Sequence, residues 1–84
     1  DGYKNGFVMK PTLNIFERFE TVVPVSIDKK ICIEWKDKKL NILTDIDGTL
    51  ILSMDKVIEL KAGNKYQFDL NVDNAKNNFN GGLI

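Results

Sequence analysis

Two carboxylates in the middle of the chain have residue types and a spacing that could support chemistry. Asp45 and Asp47 are one residue apart, they follow the largely apolar residues 40–43, and Gly48 and Thr49 come directly after them. A carboxylate in such a place can act as a nucleophile while its neighbour acts as a general acid or base. Aspartate and glycine are also common in tight turns. The stretch therefore predicts either a catalytic pair or a turn between two strands.

The catalytic hypothesis depends on residues 43–50, LTDIDGTL, which resemble the first motif of the haloacid-dehalogenase phosphatases. The resemblance implies that Asp45 is the nucleophile, that Asp47 is the acid or base, and that Thr49 is a turn residue. Phosphoryl transfer also requires Mg²⁺, further carboxylates and a lysine. The chain after Asp47 contains no Gly-Asp-x-x-x-Asp arrangement and no helical pattern for the crossovers of a doubly wound sheet. A phosphatase fragment is therefore an alternative, while we expect no enzyme activity, no catalytic residue and no cofactor.

A calcium-binding loop would be another use of the two aspartates. If Asp45 and Asp47 held the third and fifth positions of an EF-hand loop, its first and last positions would be Leu43 and Met54, which cannot bind calcium. We therefore expect no metal ligand here, and a looser aspartate-lined site at one end of the fold stays open.

The turn hypothesis predicts a hairpin with a three-residue loop, residues 46–48. Gly48 would take the left-handed conformation that such a loop needs, and Asp45 would face Thr49 across the two strands. This register collects apolar residues on one face, whereas a two-residue loop would mix apolar and polar residues on both faces. The apolar face consists of Leu40, Ile42, Leu50, Leu52 and Met54.

The composition excludes several classes of function. The 84 residues carry 12 basic and 12 acidic side chains, so the chain has no net field that attracts nucleic acid or anionic lipid. No apolar run is long enough to span a membrane. Histidine is absent and Cys32 is the only cysteine, which removes the commonest general base and any internal disulfide. We expect no nucleic-acid binding and no membrane insertion.

Alternation of apolar and polar residues predicts strands along most of the chain. Residues 30–35 and 66–72 alternate most strictly. Pro24 cannot donate a hydrogen bond to a ladder, so the strand that contains it is expected either to lie at an edge or to bend. Further strands are expected at 12–20, with either a bulge or burial on both faces, at 21–27 and at 56–60.

Turns and loops are expected in the remaining residues. The lysine-rich residues 36–39 predict a solvated turn, and residues 62–64 predict a hairpin loop before the Tyr66 strand. Residues 72–80 are rich in asparagine and have little apolar repeat, which favours a loop. Short turns are expected at 5–7 and 80–82.

The aromatic residues of the two clearest strands lie on their apolar faces. Trp35, Tyr66 and Phe68 are therefore expected in the core. Trp35 is also a candidate sugar-stacking platform, which is the basis of a carbohydrate-binding alternative. Cys32 lies on the opposite face from Trp35 and is expected to be a partly exposed thiol without a catalytic role.

Two motifs lie within residues 31–72: residues 44–48, TDIDG, end one strand, and Gly63 with Tyr66 introduces another. This pattern resembles the transthyretin-like, carboxypeptidase-regulatory and Cna-B-type bacterial surface modules, whose second motif is one residue shorter. Residues 53–58, SMDKVI, depart from the pattern, and the lysine, asparagine and acidic residue of an intramolecular isopeptide bond cannot be assigned. The resemblance implies a seven-stranded antiparallel sandwich that acts as a stalk, spacer or adhesive unit.

The chain as a whole, residues 1–84, is expected to be one all-β domain and one module of a larger protein. Its predicted architecture is a small antiparallel β-sandwich of about seven strands, immunoglobulin-like or transthyretin-like. The leading hypothesis is a non-catalytic structural or adhesive module of a bacterial surface, secreted or virion assembly, located outside the cell. It would bind a protein or glycan partner through strand edges or end loops. A carbohydrate-binding module and the phosphatase fragment are the alternatives.

Overall fold

The computed structural model describes residues 7–11, 18–53, 56–73 and 76–84, and these residues form strands and connections without a helix. The predicted all-β class is confirmed, with eight strands where about seven were expected. The strands are β1 (Phe7–Met9), β2 (Phe19–Pro24), β3 (Lys30–Lys36), β4 (Lys39–Thr44), β5 (Gly48–Ser53), β6 (Lys56–Leu60), β7 (Lys65–Asp73) and β8 (Lys76–Leu83).

The strands form two sheets, as expected for a small sandwich. The larger sheet has the order β2-β3-β4-β7-β8 and is antiparallel throughout, while the smaller has the order β1-β5-β6. Within the smaller sheet, β1 runs parallel to β5 and β6 runs antiparallel to it. No helix in the described part of the chain has the length and apolar character of a membrane span.

The core lies between the sheets and is built by alternation. Every second side chain is buried on β3 and on β7 as far as Leu70, so the predicted inward faces are confirmed for these residues; the side chain of Val72 lies outside the described part. Leu50 and Leu60 supply the buried side chains of the smaller sheet. Burial of large apolar side chains is the main stabilising term in such a fold. The core consists of Ile31, Ile33, Trp35, Leu40, Ile42, Leu50, Leu60, Tyr66, Phe68 and Leu70.

The predicted turn at residues 36–39 is confirmed as a hairpin between β3 and β4. Lys36 pairs with Lys39, and the two residues between them, Asp37 and Lys38, have φ angles of 53° and 63°. Two successive left-handed residues are the mark of a type I′ turn, whose twist matches that of the flanking strands. The edge position predicted for the strand with Pro24 is also confirmed, because β2 ends at Pro24 and pairs with β3 on one side only among the described residues.

The predicted hairpin at residues 40–54 is wrong. β4 pairs with β3 and β7, whereas β5 pairs with β1 and β6, so residues 45–47 cross from one sheet to the other. Gly48 does not have a positive φ. Instead, a Cβ atom at Gly48 would overlap the ring of Phe7, its partner in the β1–β5 pairing. The glycine is therefore needed for close packing and not for a left-handed turn.

The predicted apolar face of that stretch nevertheless holds for the residues that can be compared. Leu40, Ile42 and Leu50 are buried, and Leu52 packs against the core. Met54 lies outside the described residues. The face to which a side chain points depends on its position along its own strand. The predicted apolar face can therefore be correct even though the predicted pairing of the strands is wrong.

Two further loop predictions are corrected. Residues 62–64 form a turn, with the Asn64 N–H donating to the Lys61 carbonyl, but they too connect the sheets and do not close a hairpin. In the predicted loop at 72–80, residues 72–73 end β7 and residues 76–80 belong to β8, while residues 74–75 lie outside the described residues. The predicted turn at 80–82 lies within β8. Phe79 packs against the core, while Asn78 and Asn80 are exposed. The packing of Phe79 and the backbone pairing with β7 therefore outweigh the low strand propensity of asparagine.

Two predictions near the start of the chain are tested only in part. Residues 12–17 of the predicted strand 12–20 lie outside the described residues, and Phe19 and Glu20 begin β2. Residues 5–6 of the turn predicted at 5–7 also lie outside them, and Phe7 begins β1.

Candidate functional site

Asp45, the first of the two candidate catalytic residues, closes the ladder between β3 and β4. Its Oδ2 accepts a hydrogen bond from the Lys30 N–H at 3.0 Å, and its own N–H donates to the Lys30 carbonyl at 3.0 Å. Beside it, the Thr44 hydroxyl accepts a hydrogen bond from the Ile46 N–H at 3.1 Å and turns the chain out of the sheet. The Asp45 carboxylate thus has a backbone partner and a structural role.

Asp47, the second candidate, joins the two connections between the sheets, residues 45–47 and 61–64, which we call the crossover end. Its Oδ1 accepts a hydrogen bond from the Ala62 N–H at 2.9 Å. Nearby, the Gly63 N–H donates to the Thr44 carbonyl at 2.7 Å. Such bonds satisfy backbone donors that have no partner in a ladder. The two aspartates therefore bind two different segments of backbone.

The arrangement does not supply the parts of a phosphatase site. Among the described residues there is no group of three His, Cys, Asp or Glu side chains that could hold a metal ion. The fold also lacks the doubly wound parallel sheet with helices on which that chemistry is arranged, because the described chain contains strands alone. In the described part of the chain, no third His, Cys, Asp or Glu side chain joins Asp45 and Asp47 in such a group.

The aromatic candidates are all in the core. Trp35 and Phe68 have no exposed surface and Tyr66 is buried, so the expectation of a core role is confirmed. The Tyr66 hydroxyl accepts a hydrogen bond from the Lys61 N–H at 2.7 Å and so links the core to the crossover end. A fully buried Trp35 offers no ring face to a sugar, so its proposed role as a stacking platform is wrong.

The outer face of the larger sheet carries a shallow groove of about 680 Å³, and two rows of side chains run across the strands at this face. The register places one residue each of β2, β3, β4 and β7 in each row, and Ile84, directly after β8, ends the first row. The first, which we call the apolar row, is Val22, Cys32, Leu43, Lys65 and Ile84. The second, which we call the polar row, is Glu20, Glu34, Asn41 and Gln67.

The polar row is a chain of hydrogen bonds that ends in two like charges. The Gln67 amide donates to Asn41 Oδ1 at 2.9 Å, and the Asn41 amide donates to Glu34 Oε1 at 3.0 Å. Glu20 lies directly opposite Glu34 on the neighbouring strand β2. Like charges in opposite positions destabilise a strand pair, so this end of the row favours an added cation.

The backbone of β2 is open along its outer edge in the described part of the chain. The Val25 N–H donates to the Lys29 carbonyl at 2.9 Å. Backbone groups alternate in direction along an antiparallel ladder, so the N–H and carbonyl groups of Val23 and Thr21 also face β3. The backbone groups of Glu20 and Val22 therefore face away from the sheet. Pro24 has the same outward direction but no N–H to offer.

The side chains of β2 and of the loop after it are exposed on both faces. The inward residue Phe19 packs against the core, but every β2 residue after it is exposed, including Thr21 and Val23 on the inward side. The inner side of β2 beyond Phe19 is therefore not covered by the described residues. The exposed aliphatic side chains here are Val22 (57 %), Val23 (41 %), Val25 (43 %) and Ile27 (fully exposed).

The sequence pointed to Asp45 and Asp47, whereas the open features of the structure are β2 and the rows beside it. The β-branched run with Pro24 did signal an edge strand, but not that both of its faces would be uncovered. Cys32 is half-buried in the apolar row, as expected of a partly exposed thiol. Comparisons of the chain with known protein families, with curated proteins and with solved structures find no match.

Proposed function

We propose that this chain is a non-catalytic β-sandwich module that binds a protein partner within a larger bacterial surface, secreted or virion assembly, and that β2 is its contact strand. The observation that carries the proposal is the combination of an open backbone edge with aliphatic side chains exposed on both faces of one strand. Such a strand is a ready template for another chain.

The distribution of exposed aliphatic residues supports β2 over other surfaces. Half of the large aliphatic side chains that are exposed among the described residues lie within residues 22–27. Single exposed aliphatic residues are ordinary on a protein surface, whereas several within one short segment at a sheet edge favour an interaction site. The apolar row extends this group across the sheet from Val22 towards Leu43 and Ile84.

We further propose that the module is of the transthyretin-like, carboxypeptidase-regulatory or Cna-B-type kind. The proposal is supported by the location of the two resembling motifs. Residues 44–48 form one connection between the sheets, and Gly63 lies in the other, immediately before the Tyr66 strand. In both, polar groups bind neighbouring backbone, so the motifs have a structural reason to recur in sandwich modules.

Carbohydrate binding is the second candidate function because amide and carboxylate groups line the groove. The polar row presents Glu34, Asn41 and Gln67 in a hydrogen-bonded line. Against it, the outer face of the larger sheet carries no aromatic side chain among the described residues, whereas sugar sites gain much of their affinity from aromatic rings.

The test of protein binding is site-specific photo-crosslinking in the full-length parent protein, in the cells that express it. A photoreactive phenylalanine analogue replaces Val23 in one variant and Val57 in the control. Val57 is a matched position because it is also an exposed valine on an outer strand. We expect a discrete crosslinked protein from position 23 and none from position 57. Equal crosslinking from both positions, or none from position 23, contradicts the proposal.

The two alternatives are tested on the same purified protein. Binding to a glycan array that disappears in Asn41→Ala would replace protein binding by carbohydrate binding. Hydrolysis of a generic phosphate ester that requires Mg²⁺ and disappears in Asp45→Asn would restore the phosphatase hypothesis. We expect neither, because Trp35 is buried and both aspartates bind backbone.

A further inference from the structure

We infer that β2 binds an extended strand of another polypeptide by main-chain pairing, and that this strand carries a lysine or arginine beside Glu20. The inference rests on the proposed protein-binding function and adds the conformation and the chemistry of the partner. It is carried by the direction of the β2 backbone groups, the charges of the polar row and the uncovered inner side of β2.

The backbone of β2 offers a short and defined set of hydrogen bonds. Glu20 and Val22 each direct an N–H and a carbonyl outward, while Pro24 directs a carbonyl alone. An added strand would therefore pair along Glu20 and Val22 and end its pairing at Pro24. Addition of a strand to a sheet edge draws its affinity from these main-chain bonds, and its specificity from the side chains that alternate along the strand.

The outer side of the added strand should be basic. An added residue opposite Glu20 would continue the polar row, with its Cβ atom about 5 Å from the Cβ atom of Glu20. Arg18 and Lys36 line the same surface as the two glutamates, but neither Glu20 nor Glu34 forms an ion pair within the described residues. A cation at this position would face Glu20 and reduce its repulsion with Glu34, and a carboxylate there would add a third like charge. The charge pattern therefore selects lysine or arginine.

The inner side of the added strand should be aliphatic. Thr21 and Val23 have the same inward direction as Phe19 but are exposed, so the described residues do not cover them. Aliphatic residues on the added strand would pack beside these two side chains and remove apolar surface from water. The partner is thus an extended segment that alternates aliphatic residues with polar ones, one of them basic.

The test uses two short peptides and the isotope-labelled protein. In both peptides valine alternates with threonine; one carries a lysine at a central threonine position and the other a glutamate. We expect the lysine peptide to slow hydrogen exchange at the Glu20 and Val22 amides and to bind about threefold more tightly than the glutamate peptide. In Glu20→Lys this preference should reverse.

A pair of substitutions at one position separates backbone pairing from side-chain contact. Val22→Pro removes an outward N–H and should abolish peptide binding, whereas Val22→Ala keeps the N–H and should bind. Circular dichroism shows whether each variant is folded, and if Val22→Pro does not fold, the reversal in Glu20→Lys still decides the matter.

Three results would overturn the inference. The first is a lack of amide protection at Glu20 and Val22 by either peptide. The second is equal affinity for the two peptides in both the parent chain and Glu20→Lys. The third is dimerisation of the chain alone, seen by sedimentation and lost in Val22→Pro, which would make a second copy the occupant. A specific crosslink at Val23 without peptide protection would leave the proposed function standing and remove strand pairing alone.

Discussion

The crossover end and the β2 edge differ in whether their hydrogen-bonding groups have partners within the chain. At the crossover end, Asp45 and Asp47 accept hydrogen bonds from the Lys30 and Ala62 N–H groups. Along β2, the outward backbone groups of Glu20 and Val22 have no such partner among the described residues. The two aspartates that suggested catalysis therefore stabilise the fold. The surface that is open for binding is formed by the β-branched residues of β2.

The physical reason lies in what each segment has to do. A connection between two sheets leaves the ladder, so its backbone donors need side-chain acceptors, and aspartate supplies them. An edge strand keeps one half of its backbone groups unpaired by construction. Carboxylates at a crossover and unpaired backbone groups at an edge strand are therefore both expected. Only the unpaired backbone groups can bind another molecule without breaking hydrogen bonds within the chain.

The largest effect should come from proline substitutions along β2. Thr21→Pro removes a backbone donor to β3 and should lower the free energy of unfolding by about 3 kcal/mol. Val22→Pro removes an outward donor and should lower it by less than about 1 kcal/mol. Urea unfolding of both variants measures the difference. Equal losses would contradict the assigned direction of the β2 backbone.

Substitution of Gly48 should have the next largest effect. The Cβ atom of Gly48→Ala would overlap the Phe7 ring, and the displacement of that ring should lower the free energy of unfolding by about 1 to 3 kcal/mol. Gly82→Ala is the control, because its Cβ meets no atom within 4 Å. Thermal unfolding of the two variants is the measurement. An unchanged stability in Gly48→Ala would mean that Phe7 does not pack over this glycine.

Removal of a crossover carboxylate should have a smaller effect. Asp47→Ala loses the bond from the Ala62 N–H and should lower the free energy of unfolding by about 1 kcal/mol, with less loss in Asp47→Asn, which keeps an acceptor. Asp28→Ala is the control, since that carboxylate accepts only a long bond of 3.3 Å from Ser26. If both alanine variants unfold at the same urea concentration as the parent chain, Asp47 has no structural role.

The smallest effect on stability should come from the exposed aliphatic residues near β2. Ile27 is fully exposed, so Ile27→Lys should change the free energy of unfolding by less than about 0.5 kcal/mol. The same change should weaken the crosslink formed from position 23, because it removes apolar surface from the proposed contact. A crosslink of unchanged yield would show that Ile27 lies outside the contact.

Predictions from the sequence succeeded where a short segment sets the outcome. The inward faces of β3 and β7, the turn at 36–39 and the edge position of β2 each follow from neighbouring residues. The asparagine-rich β8 was missed because its pairing with β7 and the packing of Phe79 are not visible in local propensity. The polar row was missed because Glu34, Asn41 and Gln67 come together only through the register of three strands.

The sequence by itself determined which side chains face inward, because alternation is a property of each strand and does not depend on its neighbours. The tertiary structure alone decided which strands pair and therefore what TDIDG does. Aspartate followed by glycine satisfies a hairpin and a crossover equally well at the local level. The crossover is stabilised by packing of the Phe7 ring over Gly48, and by hydrogen bonds that the N–H groups of residues 62 and 63 donate to Asp47 Oδ1 and the Thr44 carbonyl. These contacts join segments that are distant in the chain.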